Sequence, residues 1–104
     1  MRASELAATL GGRLLGEDCV LTGVAPLKQA GVGDISCIIW PQDIRSAKKT
    51  SASLLITTID RAADYADELS CSIVVVEDFG AVFCVLKRLI AAGRLAHLPP
   101  TQKQ

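Results

Sequence analysis

The side chains best suited to chemistry in this chain are four cysteines and one histidine. The cysteines stand at positions 19, 37, 71 and 84 without a CxxC pair, and His97 lies close to two prolines. A structural zinc site needs four clustered nitrogen or sulfur ligands, and a catalytic cysteine needs an activating base beside it. The spacing therefore predicts no metal, no cofactor and no nucleophile. It favours buried, reduced cysteines that pack as small apolar side chains, with a disulfide as the alternative.

The carboxylates and glycines form no recognisable catalytic or phosphate-binding motif. The pairs Asp67-Glu68 and Glu77-Asp78 are typical of a solvated face and of a helix start, where negative charge suits the helix dipole. Gly11-Gly12, and Gly31 with Gly33, fit neither GxGxxG nor a phosphate loop ending in GKS or GKT. We therefore expect no catalysis by this chain alone.

The only tryptophan, Trp40, follows the apolar run Ile35–Ile39 and precedes Pro41. Indole offers a large aromatic surface for stacking, and tryptophan is also enriched at the centres of protein interfaces. Three roles for Trp40 stay open at this stage: packing in the core or at a strand edge, contact with a protein partner, and stacking on a base.

The bulk composition indicates one domain without a strong electrostatic preference. Half of the 104 residues are hydrophobic, and eleven Lys and Arg balance eleven Asp and Glu. A chain of this length can bury somewhat over ~60% of the surface that its unfolded form exposes. The charge balance argues against a nucleic-acid partner. The N-terminal residues lack the continuous apolar stretch of a signal peptide or membrane span, so the expected compartment is the cytoplasm.

Helical and extended patterns alternate along the chain. A short helix (SELAATL) precedes a strand, a turn and a second strand at Cys19–Val24, and ISCII is a further strand. Pro41 precedes a helix over QDIRSAKK, and the buried strands Ser53–Thr58 and Ser72–Glu77 flank a charged, helical segment over residues 59–69. The last helix follows Asp78 and ends at Gly93, with apolar residues at helical spacing: Phe79, Val82, Phe83, Leu86 and Ile90.

This order predicts an α/β fold, a small single-domain layered sheet of about five strands with crossover helices. We expect the domain to span residues 1–95. Residues 96–104 contain two prolines and polar residues, a pattern typical of a flexible tail or linker.

The stretch LTGVAPLKQAGVGDIS, followed by Pro41, resembles the N-terminal domain of UDP-3-O-acylglucosamine N-acyltransferase, an enzyme of lipid A biosynthesis. The likeness continues through SELAATLGGRLLG before it and through SASLLITT and SIVVVEDFGAVFCVLKRLI after it, over about residues 3 to 92. The N-terminal domains of the muramyl peptide ligases are more distantly similar. The resemblance implies the same α/β fold and a UDP-sugar as ligand.

In the family resembled, this domain holds the uridine by aromatic stacking just after GDIS and around the following proline. The corresponding positions here are Cys37, Trp40 and Asp43, and with Pro41 they are the candidate substrate-binding residues. A thiol at Cys37 offers no stacking face, and a carboxylate at Asp43 would repel a nearby diphosphate. Trp40 could stack on uracil from a different angle.

The catalytic histidine of that family belongs to a β-helix of hexapeptide repeats, which these residues do not contain. The resemblance therefore implies a stand-alone or excised UDP-sugar recognition domain without the catalytic β-helix. The alternative is a non-enzymatic protein-interaction or scaffold domain that kept the fold and lost nucleotide binding. Its partner would be another protein or a second copy of the chain, bound through the Trp40 region.

Overall fold

The computed structural model describes residues 1–40, 42–58, 69 and 71–97, the side chain of residue 97 excepted. Within these ranges three helices accompany six strands. The helices are α1 (Ala3–Leu10), α2 (Asp43–Lys49) and α3 (Gly80–Ala91). The strands are β1 (Arg13–Leu15), β2 (Gly23–Val24), β3 (Asp34–Cys37), β4 (Leu54–Thr58), β5 (Ser72–Val76) and β6 (Ala96–His97).

The six strands form one mixed sheet in the order β1-β5-β4-β3-β2-β6. All neighbouring pairs are parallel except β1 and β5, which are antiparallel. The central strands β4 and β5 are almost entirely buried, as expected for parallel strands covered on both faces. This arrangement confirms the predicted small single-domain α/β fold.

The strands β4 and β5 send alternate side chains to opposite faces of the sheet. One face packs against α1 and α3 in the larger core cluster, which includes Leu6, Ile56, Val74, Val82 and Leu86. The other face carries Leu55 in a smaller cluster with Ile38 and with Ala47 of α2. The single layer of strands is thus covered on both sides.

The predicted strand Cys19–Val24 is shortened to Gly23–Val24, and β2 pairs with β3 and β6 rather than with β1. The preceding residues are bound to the start of the chain instead. The Leu21 amide donates to the Met1 carbonyl at 2.6 Å, and the Ala3 amide donates to the Cys19 carbonyl at 2.8 Å. The first part of the predicted strand therefore pairs with the N-terminal residues and lies outside β2.

The C-terminal residues Ala96–His97, assigned to the tail by sequence, form the edge strand β6. The Ala96 amide donates to the Thr22 carbonyl at 2.8 Å, which fixes β6 against the β2 side of the sheet. Residues 98–104 lie outside the described residues, as does all of the predicted helical segment 59–69 except Leu69.

All four cysteines carry free thiols, so the disulfide alternative does not apply. Cys19, Cys37 and Cys71 are partly buried, whereas Cys84 is exposed on α3 and contradicts the expectation of burial. Among the described helices, none is long and apolar enough to cross a membrane.

Candidate functional site

A cleft of about 800 Å³ opens where β2 and β3 end and where α2 and α3 approach the sheet. The end of β2 and the turn after it contribute residues 24–29, and the end of β3 and the loop after it contribute Ser36, Cys37 and Ile39. Helix α2 adds two polar side chains, and α3 adds Phe83, Lys87 and their apolar neighbours. The volume lies within the range of small-molecule sites, ~300–1,000 Å³.

Phe83 is the aromatic side chain on the wall of this cleft, and 43% of its surface is exposed. Its ring stacks on Phe79, with ring centroids 6.0 Å apart and ring planes 26° apart. The sequence predicts Phe83 in the core stripe of α3, but the buried residues of that helix are Val82, Leu86 and Leu89. Compared with the face predicted from the sequence, α3 is rotated about its axis so that Leu89 rather than Phe83 faces the core. The ring of Phe83 therefore lies at the cleft.

Cys37 also lines the cleft, at the end of β3. Burial raises the pKa of its thiol to about 12, so the group is neutral at physiological pH. The neighbouring Ser36 hydroxyl donates a 2.6 Å hydrogen bond to the Ala25 carbonyl and ties β3 to the segment after β2. Cys37 therefore belongs to a fixed, uncharged part of the wall.

Asp43, at the first position of α2, lines the cleft and holds the loop that precedes the helix. Its Oδ2 accepts hydrogen bonds from the Ile39 amide at 3.1 Å and the Trp40 amide at 2.9 Å. Two backbone donors thus compensate the negative charge on one oxygen. The carboxylate shapes the edge of the site in addition to the repulsion expected from the sequence.

Trp40 is 61% exposed and is not among the residues that line the cleft. This exposure removes core packing from the roles left open by the sequence. The structure therefore brings together Cys37 and Asp43 but leaves Trp40 beside the cleft, while Pro41 lies outside the described residues. The aromatic wall comes from Phe83, which the sequence resemblance did not identify as a site residue.

The cleft wall is mostly apolar and carries a few charged side chains. The ammonium groups of Lys28 and Lys87 stand on two different elements. Within the described ranges, no group of three His, Cys, Asp or Glu side chains could hold a metal ion. An apolar cavity with one aromatic wall and a few charged groups suits an organic ligand that carries negative charge.

Comparison with models of known protein families finds no match to this chain. A search of curated proteins finds no match either.

Proposed function

We propose that this chain is a recognition domain for a UDP-sugar, whose uracil lies against Phe83 in the main cleft. The observation that carries the proposal is the position of Phe83, a partly exposed ring on the wall of a ligand-sized cleft. A chain whose expected stacking positions hold Cys37 and Asp43 needs another aromatic surface. Phe83 is the candidate that the fold offers inside the cleft.

The electrostatics of the cleft support an anionic nucleotide. Lys28 and Lys87 are among its lining residues, and Oδ2 of Asp43 is bound by two backbone amides. A nucleotide has an apolar, aromatic part and a charged part, which matches this combination of surfaces. The resemblance of the sequence to the lipid A N-acyltransferase adds the expectation of uridine and a sugar, in a domain without the catalytic β-helix.

The stacking contribution can be estimated from general values. Stacking of a base on an aromatic side chain is worth about 1–3 kcal/mol. Loss of that contact corresponds to a roughly fivefold to 150-fold increase in Kd. The ring of Phe83 is already supported by Phe79, so little ordering of side chains is needed when a base binds.

The test is a calorimetric titration of the chain with UMP and with UDP-N-acetylglucosamine. We expect saturable binding, and we expect Phe83→Leu to weaken it by about tenfold because leucine fills similar space without a stacking face. Trp40→Leu is the matched control, because its aromatic ring lies outside the cleft, and binding should stay within about twofold. No binding by the unmodified chain, or equal binding by Phe83→Leu, would reject the proposed site.

A protein-interaction function is the second candidate, and Trp40 is the observation that favours it. Its exposed fraction of 61% leaves much of the indole open to contact with a partner. The unmodified chain and Trp40→Leu separate the two functions. A chain that ignores both nucleotides and self-associates on a sizing column, in a manner lost in Trp40→Leu, supports the interaction function.

A further inference from the structure

A second, smaller cavity of about 370 Å³ adjoins the main cleft and is lined by three cations. Lys28 comes from the turn after β2, and Arg45 and Lys49 come from α2. The two α2 residues are four positions apart, so they share one face of the helix. We call this cavity, with its cations Lys28, Arg45 and Lys49, the basic pocket.

The walls of the basic pocket are joined by hydrogen bonds. The Thr50 hydroxyl donates to the Leu27 carbonyl at 2.7 Å and accepts from the Ala52 amide at 3.3 Å. The turn that carries Lys28 is closed by the amides of Gln29 and Ala30, which both donate to the Pro26 carbonyl. Lys28 is therefore held opposite α2 by the backbone rather than by its own side chain.

Among the residues that the structure describes, the basic pocket is lined by cations and hydroxyls. The chain as a whole has equal numbers of basic and acidic residues, yet no carboxylate lines this pocket in the part of the chain that the structure describes. The ion pairs of Arg2 with Asp18 and of Arg94 with Glu5 involve none of the residues that line this pocket. The hydroxyls of Ser46 and Ser51 add donors to the same wall. Clustered cations with hydroxyl donors suit a phosphate group, and arginine can bind it through two parallel hydrogen bonds.

The basic pocket is continuous with the main cleft, because Leu27, Lys28 and Ser46 line both cavities. We propose that the basic pocket is a phosphate-binding site and that it receives the diphosphate of the nucleotide whose base lies against Phe83. The identity of that ligand rests on the proposed function, whereas the affinity for phosphate groups rests on the pocket itself. Lys28 stands at the junction, so a first phosphate meets Lys28 and a second phosphate meets Arg45 and Lys49.

The first experiment uses pyrophosphate alone, which has no base and does not depend on the main cleft. We titrate it into ¹⁵N-labelled protein at low and at physiological ionic strength, and we follow the amide signals of α2 and of residues 27–30. We expect saturable shifts of these signals. We expect the affinity for pyrophosphate to be at least about tenfold lower in the double variant Arg45→Gln/Lys49→Gln. Glutamine is a good helix former, so the exposed face of α2 should stay folded, as the remaining signals will show.

The matched control is Arg88→Gln, which removes an exposed cation of α3 that lines neither cavity. It should leave the pyrophosphate affinity within about twofold. Absence of saturable shifts, or an equal loss in the control, would overturn the proposal, because the attraction would then be unspecific.

A second titration compares uridine with UDP and separates this inference from the proposed function. A gain of at least about tenfold for UDP over uridine, abolished in the double variant, supports the basic pocket as the diphosphate site. Equal affinities for uridine and UDP would overturn the assignment of the diphosphate while leaving base binding in the cleft. Pyrophosphate binding without any uridine or UDP binding would reject the proposed function and leave a phosphate site with another ligand.

Discussion

Because of the rotation of α3, we expect two neighbouring side chains, Leu86 and Phe83, to contribute different amounts to the free energy of unfolding. Leu86 is 4% exposed and belongs to the larger core cluster, whereas Phe83 is 43% exposed at the cleft. Truncation of a buried leucine to alanine leaves a cavity and costs about 3 kcal/mol or more. We therefore expect Leu86→Ala to lower the free energy of unfolding by at least that amount.

The loss expected for Phe83→Ala is smaller, although phenylalanine is the larger side chain. A phenylalanine buries ~200 Å² when it is fully covered, and a little over half of Phe83 is covered. At ~25 cal/mol per Å² the covered part corresponds to ~2.9 kcal/mol. The alanine methyl retains part of this burial, and the higher helix propensity of alanine returns ~0.5 kcal/mol. The net cost is then about 1.5 kcal/mol, without a cavity term because water fills the vacated space.

Urea unfolding followed by circular dichroism measures both losses, provided that the m-values of the two variants agree. Thermal unfolding gives an independent check, because ~1 kcal/mol shifts Tm by about 4–8 °C in a domain of this size. A loss for Phe83→Ala equal to or above that for Leu86→Ala would refute the rotation of α3 described above. The ring would then be buried, and the main cleft would lack its aromatic wall.

Two further predictions concern Cys37 and a glycine pair. Because burial raises the Cys37 pKa from 9.0 to about 12, the proton-linked stability of this thiol is complete below pH 9.0 and is lost as pH rises toward about 12. Urea unfolding across that window should show a shallower decline in Cys37→Ala, and a parallel decline would contradict the shift. Gly12→Ala should cost about 2–3 kcal/mol, since the new Cβ would lie 2.6 Å from the Val75 carbonyl oxygen. Gly11 has open space around it but a φ of 67°, so Gly11→Ala should cost only about 1 kcal/mol. A lower Tm for Gly11→Ala than for Gly12→Ala would contradict this packing.

The central elements of the fold were predictable because their sequence pattern reflects burial directly. The apolar runs at β4 and β5 are covered on both faces, and the segment before Gly93 forms α3 as its periodicity indicates. The edges were less predictable. Strands β2 and β6 have only two residues each, and their pairing depends on distant segments rather than on local pattern.

The sequence named only some of the residues that line the cleft. It placed the candidate site after β3 and around α2, and Cys37 and Asp43 do line the cleft. It predicted Phe83 rather than Leu89 in the core, which was wrong. Both stand at helical spacing from Leu86, and only tertiary packing sets the rotation of the helix. The sequence also could not show that Trp40 is exposed beside the cleft, since the apolar run before it fits a buried as well as an exposed strand end.

The pairing of β2 with β6 has a consequence for how the chain folds. The register of Gly23 with Ala96 joins the first quarter of the sequence to its last tenth. Three strands, β4, β3 and β2, separate β5 from β6 in the sheet. Closing so long a loop costs chain entropy before any contact compensates it, and such contacts slow folding. During synthesis on the ribosome, β2 can pair with β3 as soon as both have emerged, but it waits for nearly the whole domain before β6 arrives. The β2–β6 edge is therefore expected to form last, after the rest of the sheet has assembled.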